Sequence, residues 1–521
     1  MRKIGTNIFL AVLAGVTGFM AFPPFGYGAL AWACLIPFFI LAKENKGDLR
    51  GMFLYSYLAG VVFFGGLLYW LVNVTVPGTI AVVLFLALYY GLFGAVTAVV
   101  FKYSLEILIL PFVWVLIEYL RSHIFTGFPW GLLAYSQYEN IKFIQLADLF
   151  GSYGISFMLA FFNAALFSLF DKKNRRFAPM VAAVFLLLVS EIYGTSKLKM
   201  MDDMPEGKGL KVSVIQGNIP QVFKFDPEYA ENNIREYADL TRAAAKGDPD
   251  LIVWPETAYP YSVDPSSGVE ASEITALARA ERVPILAGIV SGSGEEYYNS
   301  AFLYSDEGDL IAKYSKTHLV PFGEYIPLGK YLAPIRDYID KPIGEYSRGS
   351  GLTLFPIISA AKTVSGAGSV RRTVDFYKFG VLICFEDIFP ELAREFVKDG
   401  ANFLVNITND AWFGDTAAAE QHLGASVFRA VENRVPVVRA ANTGVSCFID
   451  AVGRVTNRVK EGDKDIFVKG YAADTVRIGK LRSVYTYTGD AFVFSAALLV
   501  LFSFIFEKLM MWLAARQAKT A

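Results

Sequence analysis

Three polar residues in this chain stand at the ends of apolar, strand-like runs, and their types fit together for acyl chemistry. The first is Cys384, in Lys378-Phe-Gly-Val-Leu-Ile-Cys384-Phe-Glu-Asp-Ile-Phe-Pro390. An apolar, β-branched run stops at the cysteine, and Pro390 marks the start of a helix. A thiol at the end of a buried strand is rigidly held and faces loops, a position suited to a nucleophile. A buried core cysteine is the alternative. The second is Glu256, in Trp254-Pro255-Glu256-Thr257, directly after the run 250–254. A carboxylate there is desolvated, which raises its pKa and suits a general base; an acid opening a helix is the other reading. The third is Lys316, in Tyr314-Ser-Lys316-Thr-His318-Leu-Val-Pro-Phe-Gly-Glu324, a setting unlike that of most solvated lysines.

These three make a coherent set. A thiol has a reference pKa of about 8.5, so only a few per cent is thiolate near neutral pH. A carboxylate can take its proton, and an ammonium can stabilise the anion. The thiolate then attacks a carbonyl, and the lysine with a backbone N–H after the cysteine holds the oxyanion. Loss of one such donor typically costs about 10²–10³ in rate.

The elements that must position these groups lie between residues 197 and 488. Strand-like runs fall at 209–216, 250–254, 283–290, 298–305, 378–384, 402–408, 435–441 and 445–450. Helical patterns fall near 227–246, 270–281, 390–399 and 417–433. Alternating buried strands and helices predict an α/β or α+β domain with layered packing.

The rest of the chain is of another kind. Of 521 residues, 54% are hydrophobic and only 19% charged, and mean hydropathy is +0.40, which places the chain among membrane proteins. Apolar runs near the roughly 20 residues that span a bilayer lie at about 5–22, 25–42, 52–73, 79–101, 105–121, 151–170, 177–194 and 490–513. This predicts a polytopic α-helical membrane domain of about eight transmembrane helices: seven in 1–196, the polar domain 197–488, and one in 489–521. Met-Arg-Lys precedes the first run without a convincing cleavage site, so it reads as an uncleaved anchor. Arg2, Lys3, Lys43, Lys46, Arg50, Lys102, Lys172, Lys173, Arg175, Arg176, Lys508, Arg516 and Lys519 fall on one side of such a topology, against Arg121 and Lys142 in the other side's short loops. The positive-inside rule then puts both termini in the cytoplasm and 197–488 outside it, in a bacterium the periplasm.

The formal net charge of −1 gives no sign of a nucleic-acid partner. Cys34, Cys384 and Cys447 form no disulfide framework, and His123, His318 and His422 have no ligand spacing, so neither metal nor cofactor is expected. Glu106, Glu118 and Glu191 lie in or near spans; Glu106 and Glu191 are placed to reach water. Gly127-Phe-Pro-Trp-Gly131 reads as an interfacial re-entrant loop, structural or substrate-gating.

Trp254-Pro255-Glu256, the Lys316 segment and Cys384-Phe385-Glu386-Asp387 resemble the Glu-Lys-Cys triad of the nitrilase (carbon–nitrogen hydrolase) superfamily. That resemblance implies an αββα sandwich over about 209–470. Leu319-Val-Pro-Phe-Gly-Glu324, Asn406-Ile-Thr-Asn409-Asp410-Ala-Trp412-Phe413-Gly414, Arg439-Ala-Ala-Asn442-Thr-Gly444, the 127–131 loop and the flanking spans together resemble the apolipoprotein N-acyltransferase family over essentially the whole chain. The resemblance implies ping-pong transfer of an acyl chain from a membrane phospholipid, through a thioacyl-cysteine, to the α-amine of a diacylglyceryl-modified apolipoprotein at the bacterial inner membrane. It makes Glu324 and Glu386 supporting acids that orient Lys316 and shape the site. Asn409 and Trp412 shape the pocket, and Phe225, Arg439 and Asn442 are further substrate-binding candidates. Phe385 stands where Tyr is frequent in the family, and Phe225 where Trp is known. The stretch 325–352, with Pro327, Pro334 and Pro342, reads as a mobile lid or an ordinary long loop.

Three other functions are weighed against this one. A membrane-anchored nitrilase-type amidohydrolase would use the same triad with water as the second nucleophile, but needs fewer spans. A transporter predicts paired intramembrane charges or broken helices in related halves, which the sequence lacks. A non-catalytic binding module predicts loss of a triad member, and all three are present.

Overall fold

Apolar helices and a pair of β-sheets divide the chain between them. The computed structural model describes residues 2–101, 106–170, 176–204, 209–294, 296–327, 345–364, 370–479 and 483–520. Two units result: one comprises Met1–Val72, Val76–Ser196 and Thr488–Ala521, the other Asn73–Thr75 and Lys197–Tyr487.

In the first unit, five helices are long and apolar enough to cross a membrane: Leu49–Leu67, Val76–Val100, Phe143–Phe170, Ala178–Asp202 and Ala491–Ala514. Lys3–Phe19 is apolar but shorter, and Glu106–His123 has 18 residues with Pro111 inside it. The expected run 25–42 is not one helix. It breaks into a 3-10 turn, Gly28–Trp32, and a nine-residue helix, Ile36–Glu44. At 1.5 Å per residue that helix is about 14 Å long, under half of a roughly 30 Å hydrocarbon core. Helices 49–67 and 76–100 pack closely because small residues meet: a Cβ on Gly94 would collide with Ser56, and one on Gly60 with Ala87 and Tyr90. The 127–131 loop is fastened from inside. Buried Arg121 donates to the carbonyls of Phe128 and Trp130, each at 2.6 Å, and Glu118 accepts from the Leu133 N–H at 2.7 Å. Glu118 therefore has a structural task at its depth.

The second unit is built on two sheets. Its strands are β1 (Leu210–Gln216), β2 (Leu251–Val253), β3 (Tyr259–Val263), β4 (Ile285–Ser293), β5 (Glu296–Tyr304), β6 (Leu310–Ser315), β7 (Leu354–Val364), β8 (Val370–Ile383), β9 (Phe403–Thr408), β10 (Val437–Ala441), β11 (Cys447–Ile449), β12 (Val455–Thr456) and β13 (Gly470–Val476). Among the described residues one sheet runs β13-β1-β2-β4-β5-β6, with β3 on β4, and the other β12-β11-β10-β9-β8-β7. Strand β1 packs on β10 and β5 on β8, so the sheets lie face to face. Helices Ala230–Ala245 and Ser272–Glu281 cover the first sheet, Pro390–Lys398 and Ala418–Asn433 the second. This is the αββα sandwich. Ile215, Ile252, Trp254, Ile285 and Phe302 are among the side chains between the first sheet and its helices, each contributing about 1.5–3 kcal/mol on burial. The central parallel strands β9 and β10 are buried along their full length, which is why they read as continuous apolar runs.

Candidate active site

Strand β2 delivers Glu256. Trp254, whose indole donates to the Thr241 hydroxyl at 2.9 Å, locks the strand end, and Pro255 stops the ladder. Thr257 takes φ 44°, which turns the chain. Gly288 on β4 makes room for that turn: a Cβ there would strike the backbone of Pro255, Glu256 and Thr257. Glu256 is 6% exposed, and its Oε1 accepts from Asn299 Nδ2 at 2.7 Å.

Lys316 follows β6 and is 1% exposed. Its ammonium donates to Glu324 Oε1 at 2.9 Å and stands 3.8 Å from Glu256 Oε1. Burial works against the charge, but Glu324, Glu256 and Cys384 outweigh it and hold the lysine above its ordinary pKa. Asn299 uses both amide hydrogens here, the second reaching Glu324 Oε1 at 3.0 Å. Glu324 Oε2 in turn accepts the Val320 N–H at 2.8 Å.

Cys384 opens a 3-10 turn, Cys384–Ile388, where β8 ends. Its φ of 53° is a left-handed conformation for a residue with a side chain, a strain of roughly 1–3 kcal/mol that persists only where surrounding structure imposes it. Asn406 imposes it in part, donating to the carbonyls of Leu382 and Cys384, each at 3.1 Å. Burial pushes the thiol up and Glu256 adds to this, while Lys316 opposes it.

The remaining predicted residues separate into distinct places. Glu386 is fully buried and does not touch the Lys316 ammonium; it binds main chain on both sides of the site, and burial raises its pKa. Phe385 is half-buried and packs edge-on against Phe389, 5.2 Å away. Phe225 is exposed and Trp412 half-exposed, so both can meet a substrate. Asn409, Asn442 and Arg439 are buried and already engaged. Asn442 brackets Ile219, accepting from its N–H at 2.9 Å and donating to its carbonyl at 2.8 Å, and donates to Asn409 at 3.0 Å. Asn409 holds Gln221 at 2.7 Å. The two asparagines thus anchor the 219–221 segment. Arg439 binds Asp387 and Asp410 at 3.0 and 3.2 Å behind the cysteine turn. Of the stretch 325–352, residues 328–344 lie outside the described residues.

Sequence reading missed Asn299, Lys224 and the buried set Asp387, Asp410 and His422. Arg439 within Val-Pro-Val-Val-Arg-Ala-Ala was a usable signal, since a charge in a fully apolar run must have buried partners. Among the described residues no His, Cys, Asp and Glu group is arranged to hold a metal ion.

Known proteins can be set beside this geometry. Residues 14–165 match the apolipoprotein N-acyltransferase N-terminal domain, and residues 211–477 match the carbon–nitrogen hydrolase family. An apolipoprotein N-acyltransferase from Geobacter metallireducens is 38% identical over 513 residues, covering 94% of this chain and 93% of that protein. Another, from Methylococcus capsulatus, is 34% identical and covers 86% of each chain. An amidase crystal structure from Nesterenkonia sp. is matched over 56% of this chain and 98% of its own, at 16% identity and a TM-score of 0.36. The chain belongs to the apolipoprotein N-acyltransferase family and is an acyltransferase with a carbon–nitrogen hydrolase catalytic domain.

Proposed function

We propose that the chain transfers a fatty acyl group from a membrane phospholipid to the α-amine of a diacylglyceryl-modified apolipoprotein by a ping-pong route. The observation that carries this reading is the convergence of Lys316 on Glu256 and Glu324, at 3.8 and 2.9 Å, in the unit whose second sheet ends at the strained Cys384. Glu256 takes the thiol proton as Sγ attacks the ester carbonyl. Lys316 and the backbone N–H after the cysteine hold the oxyanion. Collapse breaks the ester C–O bond, and Glu256 returns the proton to the departing lysophospholipid oxygen. The lipoprotein amine then attacks the thioester carbonyl and gives its proton to Glu256. The thiolate leaves and is reprotonated. Burial and the Glu256 carboxylate favour the thiol over the thiolate, so proton transfer to Glu256 accompanies attack.

Both substrates are bilayer lipids, and five helices suited to a membrane flank the catalytic chain. This supports spans within 1–196 and 489–521, a catalytic domain over 197–488 on the periplasmic side of the inner membrane, and cytoplasmic termini. Glu324 orients Lys316, Glu386 braces the site, and Phe225 and Trp412 contact lipid.

Radiolabelled phospholipid tests the donor, the nucleophile and the covalent intermediate together. The wild-type chain is expected to acquire a hydroxylamine-sensitive label, and Cys384→Ala none; full labelling of that variant would sink the assignment. Mass spectrometry of a model lipoprotein decides the acceptor: free fatty acid alone, with no N-acylated product, would favour a hydrolase.

A further inference from the structure

The short helix Gln221–Lys224 is built inside out. Val222 is 76% exposed and Phe225 just beyond it 47%, while Lys224 is 3% exposed. A lysine on a surface helix ordinarily reaches water along its stem. Here the ammonium turns inward and donates to the main-chain carbonyl of Glu256 at 2.7 Å. The segment is held in place at each step: Asn442 on Ile219, Asn409 on Gln221, and Asn233 on the Phe223 carbonyl at 2.9 Å. Burying an ammonium is costly unless nearby anions compensate, and the anions that act on this one are Glu256 and Cys384.

The charge of the site explains why a second cation belongs there. Glu256 and Glu324 set two carboxylates against the single ammonium of Lys316. Moving a proton from Cys384 to Glu256 leaves that imbalance unchanged, since one anion replaces another. A further ammonium beside Glu256 brings the group to neutrality in both states and lowers the energy of the thiolate.

We propose that Lys224 is a second cation of the acyl-transfer site, sharing with Lys316 the stabilisation of the Cys384 thiolate that forms in the first half-reaction and leaves in the second. This rests on Cys384 being the nucleophile. Burial lowers the lysine to about 8, with Glu256 and Cys384 holding it up, so its charge is lost as pH rises through that value. The groups acting on it are Glu256 and Cys384; Lys316 and Glu324 lie one contact further on.

The test is alkylation of Cys384 by iodoacetamide in the full-length, detergent-solubilised chain, read on the Cys384 peptide by mass spectrometry across pH 6–10. Lys224→Met is expected to slow alkylation about tenfold at pH 7.5, one pKa unit upward for the thiol, and to displace the whole profile to higher pH. The wild type is expected to flatten near pH 8 as its lysine discharges, and Lys224→Arg is expected to restore the rate and to remove that flattening. A Lys224→Met profile that overlays the wild type, with an unchanged thermal midpoint, would overturn the proposal. Should that variant not fold, retention of the flattening in Lys224→Arg would overturn it instead. Failure of the nucleophile assignment would look different: phospholipid label would survive Cys384→Ala, whatever Lys224 does.

Discussion

Glu386 holds the main chain beside Lys316 and leaves the ammonium to Glu324. Its Oε1 accepts the N–H groups of Thr317 and His318 at 2.7 and 3.0 Å, with the hydroxyls of Tyr314 and Thr317 at 2.9 and 3.1 Å, and its Oε2 accepts the Ile383 N–H at 2.8 Å. One buried carboxylate thereby ties the lysine segment to the last residue of β8, next to the nucleophile. Glu324 acts on Lys316 itself. The two acids hold the same lysine by different means, and their substitutions separate accordingly.

Glu386→Gln places an NH₂ group against N–H donors on one side of that bracket. Thioacylation is expected to fall at least about 10²-fold, because the lysine shifts relative to the cysteine. The fold is also expected to lose about 3 kcal/mol, from hydrogen bonds to a buried charge and donors left unsatisfied. Thermal unfolding and phospholipid labelling of one preparation measure both, and a normal thermal midpoint would refute the bracing role.

Glu324→Gln removes the charge beside Lys316 and also turns an NH₂ group toward a donor, since Oε1 accepts from Lys316 and Asn299 and Oε2 from the Val320 N–H. Lys316 loses its nearest anion, and its pKa, held up by Glu324 first and Glu256 second against burial, moves down. Labelling is expected to fall about 10–10²-fold, with a smaller loss of thermal midpoint than in Glu386→Gln, because fewer donors converge on Glu324 and its side chain is partly open to water. Loss of stability without loss of rate would contradict the assignment.

Asn299 offers a third separation. Its amide bridges Glu256 and Glu324 at 2.7 and 3.0 Å, so Asn299→Asp would set a third carboxylate against the other two. Like charges this close disfavour the ionised form of each carboxylate. The acidic limb of the labelling rate against pH is expected to move upward by one unit or more, while Asn299→Ser leaves that limb in place. An unmoved limb in the aspartate variant would show that the bridge does not tune the base.

What the sequence made legible follows from whether a residue's partners are local. The runs at 209–216, 250–254, 402–408 and 435–441 coincide with β1, β2, β9 and β10 because continuous burial leaves continuous apolar sequence. Strands β6 and β7 carry mixed residues on partly exposed faces and escaped that pattern. The apolar run 25–42 met the length of a span, yet the chain breaks at 28–32. Asn409, Asn442 and Arg439 drew notice through the motifs that resemble the family. Their tasks depend on Gln221, Ile219, Asp387 and Asp410, up to 223 residues away, and no spacing reveals that. Lys224 was invisible for the converse reason: a lysine between exposed apolar residues reads as a surface charge.

His422 makes the most pH-sensitive prediction. Both ring nitrogens face carboxylates, Nε2 to Asp387 at 2.6 Å and Nδ1 to Asp410 at 3.1 Å, so the ring when protonated donates to both. Burial and Arg439 work against its charge, but Asp387 and Asp410 prevail and raise its pKa. The two aspartates are held low, burial being outweighed chiefly by His422. A raised histidine contributes stability fully below its unfolded pKa of about 6.5, and that stability is lost as pH climbs through the folded value. The lowered aspartates contribute above about 3.9 and lose it as pH falls through their folded values. The network is therefore strongest between those limits, and the catalytic domain is expected to be more stable near pH 6 than near pH 9. His422→Gln removes the titrating cation between the two aspartates and leaves Asp387 and Asp410 sharing Arg439, which is expected to cost about 3–5 kcal/mol at pH 6. Chemical denaturation of the full chain at pH 6, 7.5 and 9 measures this. The wild type should lose stability across the series and His422→Gln should not; parallel decline in both would place the pH sensitivity elsewhere.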